Sequence, residues 1–185
     1  MAATGRHLIA RVCRALQKKL INLVLFQLGW FVCVLGGNSY AVAFTLIVLL
    51  LHRWLVLDNP REWKLIGVIV LVGCLWDTAM AQSGVIRYAD GFIAGIPLWL
   101  ICLWTLFATT FMHGLLWLRR FPWLAGLLAG VLGPASYWFG ANLTEAELRV
   151  PLYMSLAIMA AGWATLFPAG IYLAAKINST PLETR

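Results

Sequence analysis

Asp77 is the residue of this sequence with the clearest chemical potential, because it interrupts an apolar run that extends from Leu65 to Gln82. An ionised carboxylate within hydrocarbon costs at least about 2.5 kcal/mol, so it needs a polar partner or water. At about 1.5 Å per helical residue, Asp77 lies roughly 18 Å beyond Leu65. Its position predicts a site for proton transfer or polar-substrate contact. The alternative is an acid that only pins helices together.

Other polar side chains in apolar runs complete this candidate site. They are Tyr137, Gln27, Asn38 and Gln82. Three tryptophans fall near the middle of their runs, namely Trp30, Trp104 and Trp163. An indole N–H in such a place needs an acceptor or an apolar neighbour. These rings therefore either pack in the core or line a pocket for a lipid or another apolar molecule.

A second polar cluster is predicted near the other end of the runs. His52 and His113 each stand five residues before the end of a run, which predicts that they face each other at the same depth, and Asn22 enters from the same side. Two imidazoles could ligate haem or a metal ion, but a firm metal site needs a fuller ligand set. We therefore expect no metal and no cofactor here, and two histidines satisfied at the membrane interface.

The elements that position these residues follow from composition. The chain is 62% apolar and 11% charged with a mean hydropathy of +0.85, whereas soluble domains have about 25% charged residues. Six apolar runs are each about long enough to cross a bilayer as a helix. They are Leu20 to Gly37, Tyr40 to Leu57, Leu65 to Gln82, Ile96 to Leu118, Phe121 to Ala141, and Pro151 to Ala174. The sequence predicts an all-α polytopic membrane protein, a bundle of six transmembrane helices.

The basic residues predict the orientation of this bundle. Of the 14 Lys and Arg residues, all but Arg87 and Arg149 fall on one side when segments are counted alternately. Because Lys and Arg in short loops are retained in the cytoplasm, both termini are expected to be cytoplasmic. The net charge of +7 reflects this loop bias, and no nucleic-acid partner is indicated. We expect an uncleaved basic amphipathic segment at 1–19, the transmembrane domain at 20–174 and a cytoplasmic tail at 175–185.

Small residues predict which helices pack most closely. Gly126 and Gly130 in the fifth run, and Ala160 and Ala164 in the sixth, recur at spacings that let two backbones approach in lipid. Pro134 and Pro168 are expected to weaken the hydrogen-bond ladder of these same helices. The four cysteines show no metal-ligand or disulfide spacing, so free thiols are expected.

The sequence resembles a bacterial inner-membrane family known as domain of unknown function 2878. The likeness covers about residues 20–174. It rests on Asn22 with Phe26-Gln27-Leu28-Gly29-Trp30, Trp76-Asp77, Pro97-Leu98-Trp99-Leu100 with Leu103-Trp104, Phe107-Ala108-Thr109-Thr110, and Gly133-Pro134 with Tyr137 and Gly140. The resemblance implies a protein of the bacterial cytoplasmic membrane. The family has no established activity, so it assigns no catalytic residue.

Three functions remain open from the sequence. The first is an enzyme or accessory that handles a lipid or another apolar small molecule in an intramembrane pocket, and the second is a small-solute transporter or membrane-embedded substrate-binding subunit. The third is a structural or assembly partner in a membrane complex. The expected partners are membrane lipids and an apolar ligand, and the sequence identifies no protein partner. A lipid-filled cavity would favour the first function, a water-filled cavity at Asp77 the second, and a filled bundle the third.

Overall fold

The computed structural model describes residues 2–89 and 91–179, with side chains from residue 12 onward. In chain order its elements are α1 (Ala2–Leu51), a π-helical turn (His52–Val56), α2 (Glu62–Gln82), β1 (Ile86–Arg87), α3 (Leu98–Ala108), a 3₁₀ turn (Leu116–Arg120), α4 (Pro122–Leu143), β2 (Glu147–Leu148) and α5 (Leu152–Ser179). The all-α class is confirmed. Six separate helices are not: the described residues form five α-helices.

Four helical stretches are long and apolar enough to cross a membrane. They are Val12–Val56, Glu62–Gln82, Pro122–Leu143 and Leu152–Ser179. At about 1.5 Å per residue, even the shortest of them spans roughly 32 Å, about the thickness of the hydrocarbon layer. The chain is therefore built as a membrane protein. The predicted C-terminal tail lies outside the described residues from position 180 onward.

Helix α1 combines the first two predicted runs by folding back on itself at Gly37. This residue has a φ of 69°, a left-handed conformation that glycine adopts without a Cβ clash. Lys18 forms an ion pair with Asp58, and a Cβ on Gly29 would lie 3.1 Å from the Phe44 ring. Such contacts require two arms that run antiparallel from the bend. Helix α1 begins at Ala2 and so includes most of the basic segment predicted at 1–19.

The fourth predicted run is helical only in part. Ile96 to Leu118 was expected to be one helix, but α3 ends at Ala108 and the chain then unwinds before the 3₁₀ turn. Every residue from Ala108 to His113 is buried. Irregular backbone at membrane depth is tolerated when protein surrounds it and its polar groups find partners. Here the Asn22 amide donates to the Thr109 carbonyl at 3.1 Å, where the helix no longer supplies a donor.

Helices α4 and α5 pack as closely as their small residues predict. A Cβ on Gly126 would lie 3.2 Å from the Ala164 carbonyl oxygen, and one on Gly130 would lie 3.5 Å from the Ala160 carbonyl oxygen. Pro134 and Pro168 lie inside these helices. The close approach confirms the predicted α4–α5 contact. It also positions Tyr137 of α4 and Trp163 of α5 with their rings 6.3 Å apart.

The connections gather at the two ends of the bundle. At one end the Asn38 side chain accepts a hydrogen bond from the Trp99 backbone at 2.9 Å, and β1 pairs with β2 through Ile86 and Leu148. At the other end lie the Lys18–Asp58 pair and the start of α2. We call these the strand end and the basic end, respectively.

Candidate functional sites

Asp77 is fully buried among three helices and accepts two short hydrogen bonds. The Trp104 indole nitrogen donates to Oδ2 at 2.5 Å, and the Tyr137 hydroxyl donates to Oδ1 at 2.6 Å. Asp77 comes from α2, Trp104 from α3 and Tyr137 from α4. A carboxyl group with donors on both oxygens is compensated for the water that it loses on burial. This arrangement can hold a proton or orient a polar group inside the bundle.

Glycines allow the indole rings to reach this site. A Cβ on Gly73 would overlap the Trp104 ring, and one on Gly133 would overlap the Trp163 ring. The two indoles stack with centroids 5.3 Å apart and planes 9° from parallel. Each ring therefore occupies a notch that a larger residue would close. The Asp77 site is lined on one side by stacked aromatic rings.

Tyr88, in the connection after α2, faces Asp77 from the strand end. Its hydroxyl is buried, and no described atom is placed to complete a well-formed hydrogen bond with it. Burial, followed by the Asp77 carboxylate, raises the pKa of Tyr88 well above its usual range. The hydroxyl therefore keeps its proton and remains a donor. Tyr88 also lines an open cavity of about 270 Å³ together with Arg87 and Gln82.

His52 and His113 meet at the basic end around a third residue, Glu62. His52 Nε2 lies 3.0 Å from Glu62 Oε1, and His113 Nε2 lies 2.9 Å from Oε2. The imidazole centroids are 5.3 Å apart. All three side chains are buried. The sequence argument against a metal site assumed that no third ligand was near, and the position of Glu62 shows that this premise is wrong.

Three local structures bring these residues together. The π-helical turn is closed by a hydrogen bond from the Leu57 N–H to the His52 carbonyl at 2.8 Å. The chain then reverses through Asn59, whose side chain accepts from the Arg61 N–H at 3.0 Å, and Glu62 begins α2. The unwound segment after α3 supplies His113. Because π-helical turns recur at functional sites, this geometry identifies a second candidate site.

The remaining predicted site residues are distributed as follows. Gln27 is exposed on α1 and Gln82 is exposed at the end of α2, so neither belongs to the Asp77 hydrogen-bond network. Asn38 bonds the first turn of α3 instead. Asn22 is buried, and its amide donates to Thr109 of the unwound segment instead of to a histidine. These four placements differ from the expected ones because sequence gives depth along a helix but not the direction of a side chain.

Sequence reasoning missed Tyr88 and Glu62, and it named Trp104 only as a core or pocket-lining ring, without assigning it to Asp77. Trp104 and Tyr88 face Asp77, and Glu62 joins the histidines. Trp104 carried a signal, since a mid-membrane indole needs an acceptor. Glu62 carried no such signal, because an acid between Arg61 and Lys64 is typical of a solvated interface. Only the tertiary contacts distinguish a buried Glu62 from a solvated one.

Arg87 and Arg149, the two basic residues predicted on the less basic side, both contact Glu147. Arg87 lies 3.0 Å and Arg149 3.7 Å from its carboxylate oxygens. The hydrogen bond and charge of Arg87 lower the pKa of Glu147, with a smaller contribution from Arg149. One acid therefore offsets much of the positive charge at the strand end.

The fold and these sites define a polytopic α-helical membrane protein that buries two carboxyl groups, one near each end of α2. The family model described as a protein of unknown function, DUF2878, matches residues 19–169. The chain belongs to this family, as its tryptophan and proline motifs indicated. No curated protein and no solved structure matches it.

Proposed function

We propose that this chain is an inner-membrane enzyme or enzyme accessory that handles a lipid or another apolar small molecule beside the Asp77 site. The observation that carries the proposal is an apolar groove of about 410 Å³ between α4 and α5. Its lining includes Pro134, Trp138, Leu156 and Ala157, and contains no charged residue. The groove lies on helices that qualify as membrane spans, so acyl chains are its natural surroundings.

The groove borders the polar network through α4. Tyr137, which donates to Asp77, lies between the groove residues Pro134 and Trp138 in sequence. The Trp163 indole N–H is buried and completes no well-formed hydrogen bond among the described residues. Groups that can bond a carbonyl or hydroxyl therefore lie on the same two helices as the groove. This combination suits an amphipathic molecule better than a fully apolar one.

A photoreactive fatty acid incorporated into bilayers tests this proposal. We expect labelling of the wild-type protein on peptides from the α4 and α5 lining, and several-fold less labelling in Ala157→Leu, whose added methyl groups occupy the groove. The matched control is Ala161→Leu, an exposed alanine one turn along α5 that does not line the groove. Equal labelling in both variants, or labelling spread evenly over all helices, would reject a dedicated groove.

A second candidate is proton or small-solute transfer through Asp77, favoured by the cavity at the strand end. Tyr88 both lines this cavity and faces Asp77, so one side chain separates the acid from the opening. In liposomes with an internal pH indicator, wild-type protein should collapse an imposed pH gradient faster than Asp77→Asn. Exposed Glu145→Gln is the control. A wild-type rate equal to that of empty liposomes would exclude proton transfer.

The orientation belongs to the same proposal. The basic end would face the cytoplasm of a bacterium, because Arg53, Arg61 and Lys64 adjoin it, while the positive charges of the strand end are paired with Glu147. The positive-inside rule counts Lys and Arg in short loops close to the spans, which describes these residues. The groove and the Asp77 site would then lie in the periplasmic half of the membrane.

A further inference from the structure

We propose that His52, Glu62 and His113 form a binding site for one divalent first-row transition-metal ion. Their donor atoms, the two Nε2 atoms and the carboxylate oxygens, lie within 4.8 Å of one another. Metal bonds of about 2.0–2.2 Å place neighbouring ligand atoms roughly 3 Å apart, as the nitrogen–oxygen pairs here already are. This proposal does not rest on the lipid-handling function.

The burial of Glu62 supports the metal site independently of the distances between the ligand atoms. The Glu62 side chain is 1% exposed, and among the described residues it pairs with His52 and His113. With both imidazoles neutral, the cluster would hold a negative charge in a medium of low dielectric, which is costly. A divalent cation removes this cost by giving the carboxylate and both nitrogens a common partner.

A single proton shared within the cluster is the competing explanation. It would make one imidazole cationic, so that both of its nitrogens carry hydrogen. The His52 Nδ1 atom is buried and no described group accepts from it, so protonating His52 would add an unsatisfied buried donor. A metal on Nε2 likewise leaves Nδ1 as the protonated nitrogen. The Nδ1 atom and the nitrogen–oxygen distances of 2.9–3.0 Å therefore fit either occupant, and what points to an ion is the convergence of three metal-ligating side chains within 4.8 Å.

The ligand set indicates the class of ion. Two imidazoles and one carboxylate suit Fe²⁺, Mn²⁺, Co²⁺ or Zn²⁺, whereas Mg²⁺ and Ca²⁺ prefer oxygen ligands alone. Three protein ligands also leave coordination positions open, as in catalytic sites rather than closed structural ones. The site would hold the ion between the π-helical turn, the first turn of α2 and the segment after α3.

Cobalt provides a direct probe, because Co²⁺ bound to protein ligands absorbs visible light. The full chain is purified in detergent without a polyhistidine tag, stripped with a chelator, loaded with Co²⁺ and desalted. We expect about one Co²⁺ per chain with a visible absorption band for the wild type. Glu62→Gln keeps the shape of the side chain but is a poor ligand, so its affinity should be at least about tenfold weaker.

Exposed Glu145→Gln is the control for the same chemical change. His113→Ala serves as a second ligand variant if Glu62→Gln fails to fold. Added Co²⁺ should also raise the wild-type unfolding temperature by roughly 5 °C or more, reversibly with chelator. Substoichiometric Co²⁺ on folded wild-type protein, or equal binding by folded Glu62→Gln, would overturn the metal site and leave the shared proton.

Discussion

At the scale of single residues, Asp77 and Glu62 are both buried carboxyl groups, but different partners compensate for the water that each one loses. Each is a fully buried carboxyl on α2, one held by an indole and a phenol and the other by two imidazoles. An indole N–H cannot accept a proton, whereas an imidazole can both accept a proton and bind a metal. The Asp77 site is therefore suited to hold a carboxyl in one geometry, and the Glu62 site to bind a cation.

Substitution of Asp77 should separate hydrogen bonding from charge. Asp77→Asn can still accept from Trp104 with its oxygen and donate to Tyr137 with its amide, so we expect a folded protein. Asp77→Leu leaves two buried donors unpaired and should lower the free energy of unfolding by about 2–4 kcal/mol. Denaturation in detergent measures both values. If the Asn and Leu variants are equally stable, the two hydrogen bonds contribute nothing to stability.

The same Asn variant also bears on function. We expect Asp77→Asn to impair the activity of the folded protein in a complementation assay in its host, because the ionisable group is lost. Full activity would instead assign Asp77 to holding helices together.

At the scale of elements, helix α2 packs against α3 through a glycine that leaves space for a large ring. Gly73 faces the Trp104 ring, while Gly67 of the same helix has no neighbouring atom within 4 Å of an added Cβ. The two glycines are thus a matched pair for testing whether the Trp104 indole requires the space beside Gly73.

Gly73→Ala should destabilise the protein by about 1–3 kcal/mol, because the Cβ overlaps a rigid ring that Asp77 holds in place. Gly67→Ala should be neutral or up to about 1 kcal/mol stabilising, since alanine is the better helix former. Thermal unfolding followed by circular dichroism compares them. A Gly73→Ala variant as stable as Gly67→Ala would show that the Trp104 ring moves freely.

The β1–β2 pair should respond to pH through Glu147. Its pKa is lowered in the folded protein by Arg87, so its stabilising effect is present above its ordinary pKa and lost as pH falls through the lowered value. Wild type should unfold at a slightly higher temperature than Glu147→Gln at neutral pH. The difference should vanish near about pH 3 and shrink in high salt, because the pair is exposed. A difference that grows at low pH would contradict this sign.

At the scale of the whole molecule, the two ends of the bundle differ in charge and in structure. The bend of α1 at Gly37, the start of α3 and the strand pair share one end, and the Lys18–Asp58 pair and Glu62 share the other. The described connections are short, so any active site must lie within the helices or at their ends.

Reporter fusions test the proposed orientation of these ends. Fusions after Arg87 and after Arg149 should report the periplasm, and fusions after Lys64 and after Lys176 the cytoplasm, because the positive charges concentrate at the basic end. A phosphatase reporter active only outside the cytoplasm, paired with a fluorescent reporter, reads both outcomes. A reversal of either pair would refute the topology and place the Asp77 site in the cytoplasmic half.

The sequence by itself determined the membrane class, the all-α fold and the position of Asp77 within an apolar helix. These follow from transfer free energies, which act residue by residue along an apolar run. It also determined the α4–α5 contact, since Gly126 and Gly130 have few other uses on a lipid-facing helix.

Only the tertiary structure decided that α3 unwinds after Ala108 and that Glu62 lies between His52 and His113. The physical reason is that these features depend on distant partners. Glu62 is 10 residues from one histidine and 51 from the other, and a helix can unwind in the membrane only where remote side chains such as Asn22 satisfy its backbone. Hydropathy and periodicity report depth and local propensity, and neither specifies which side chains converge.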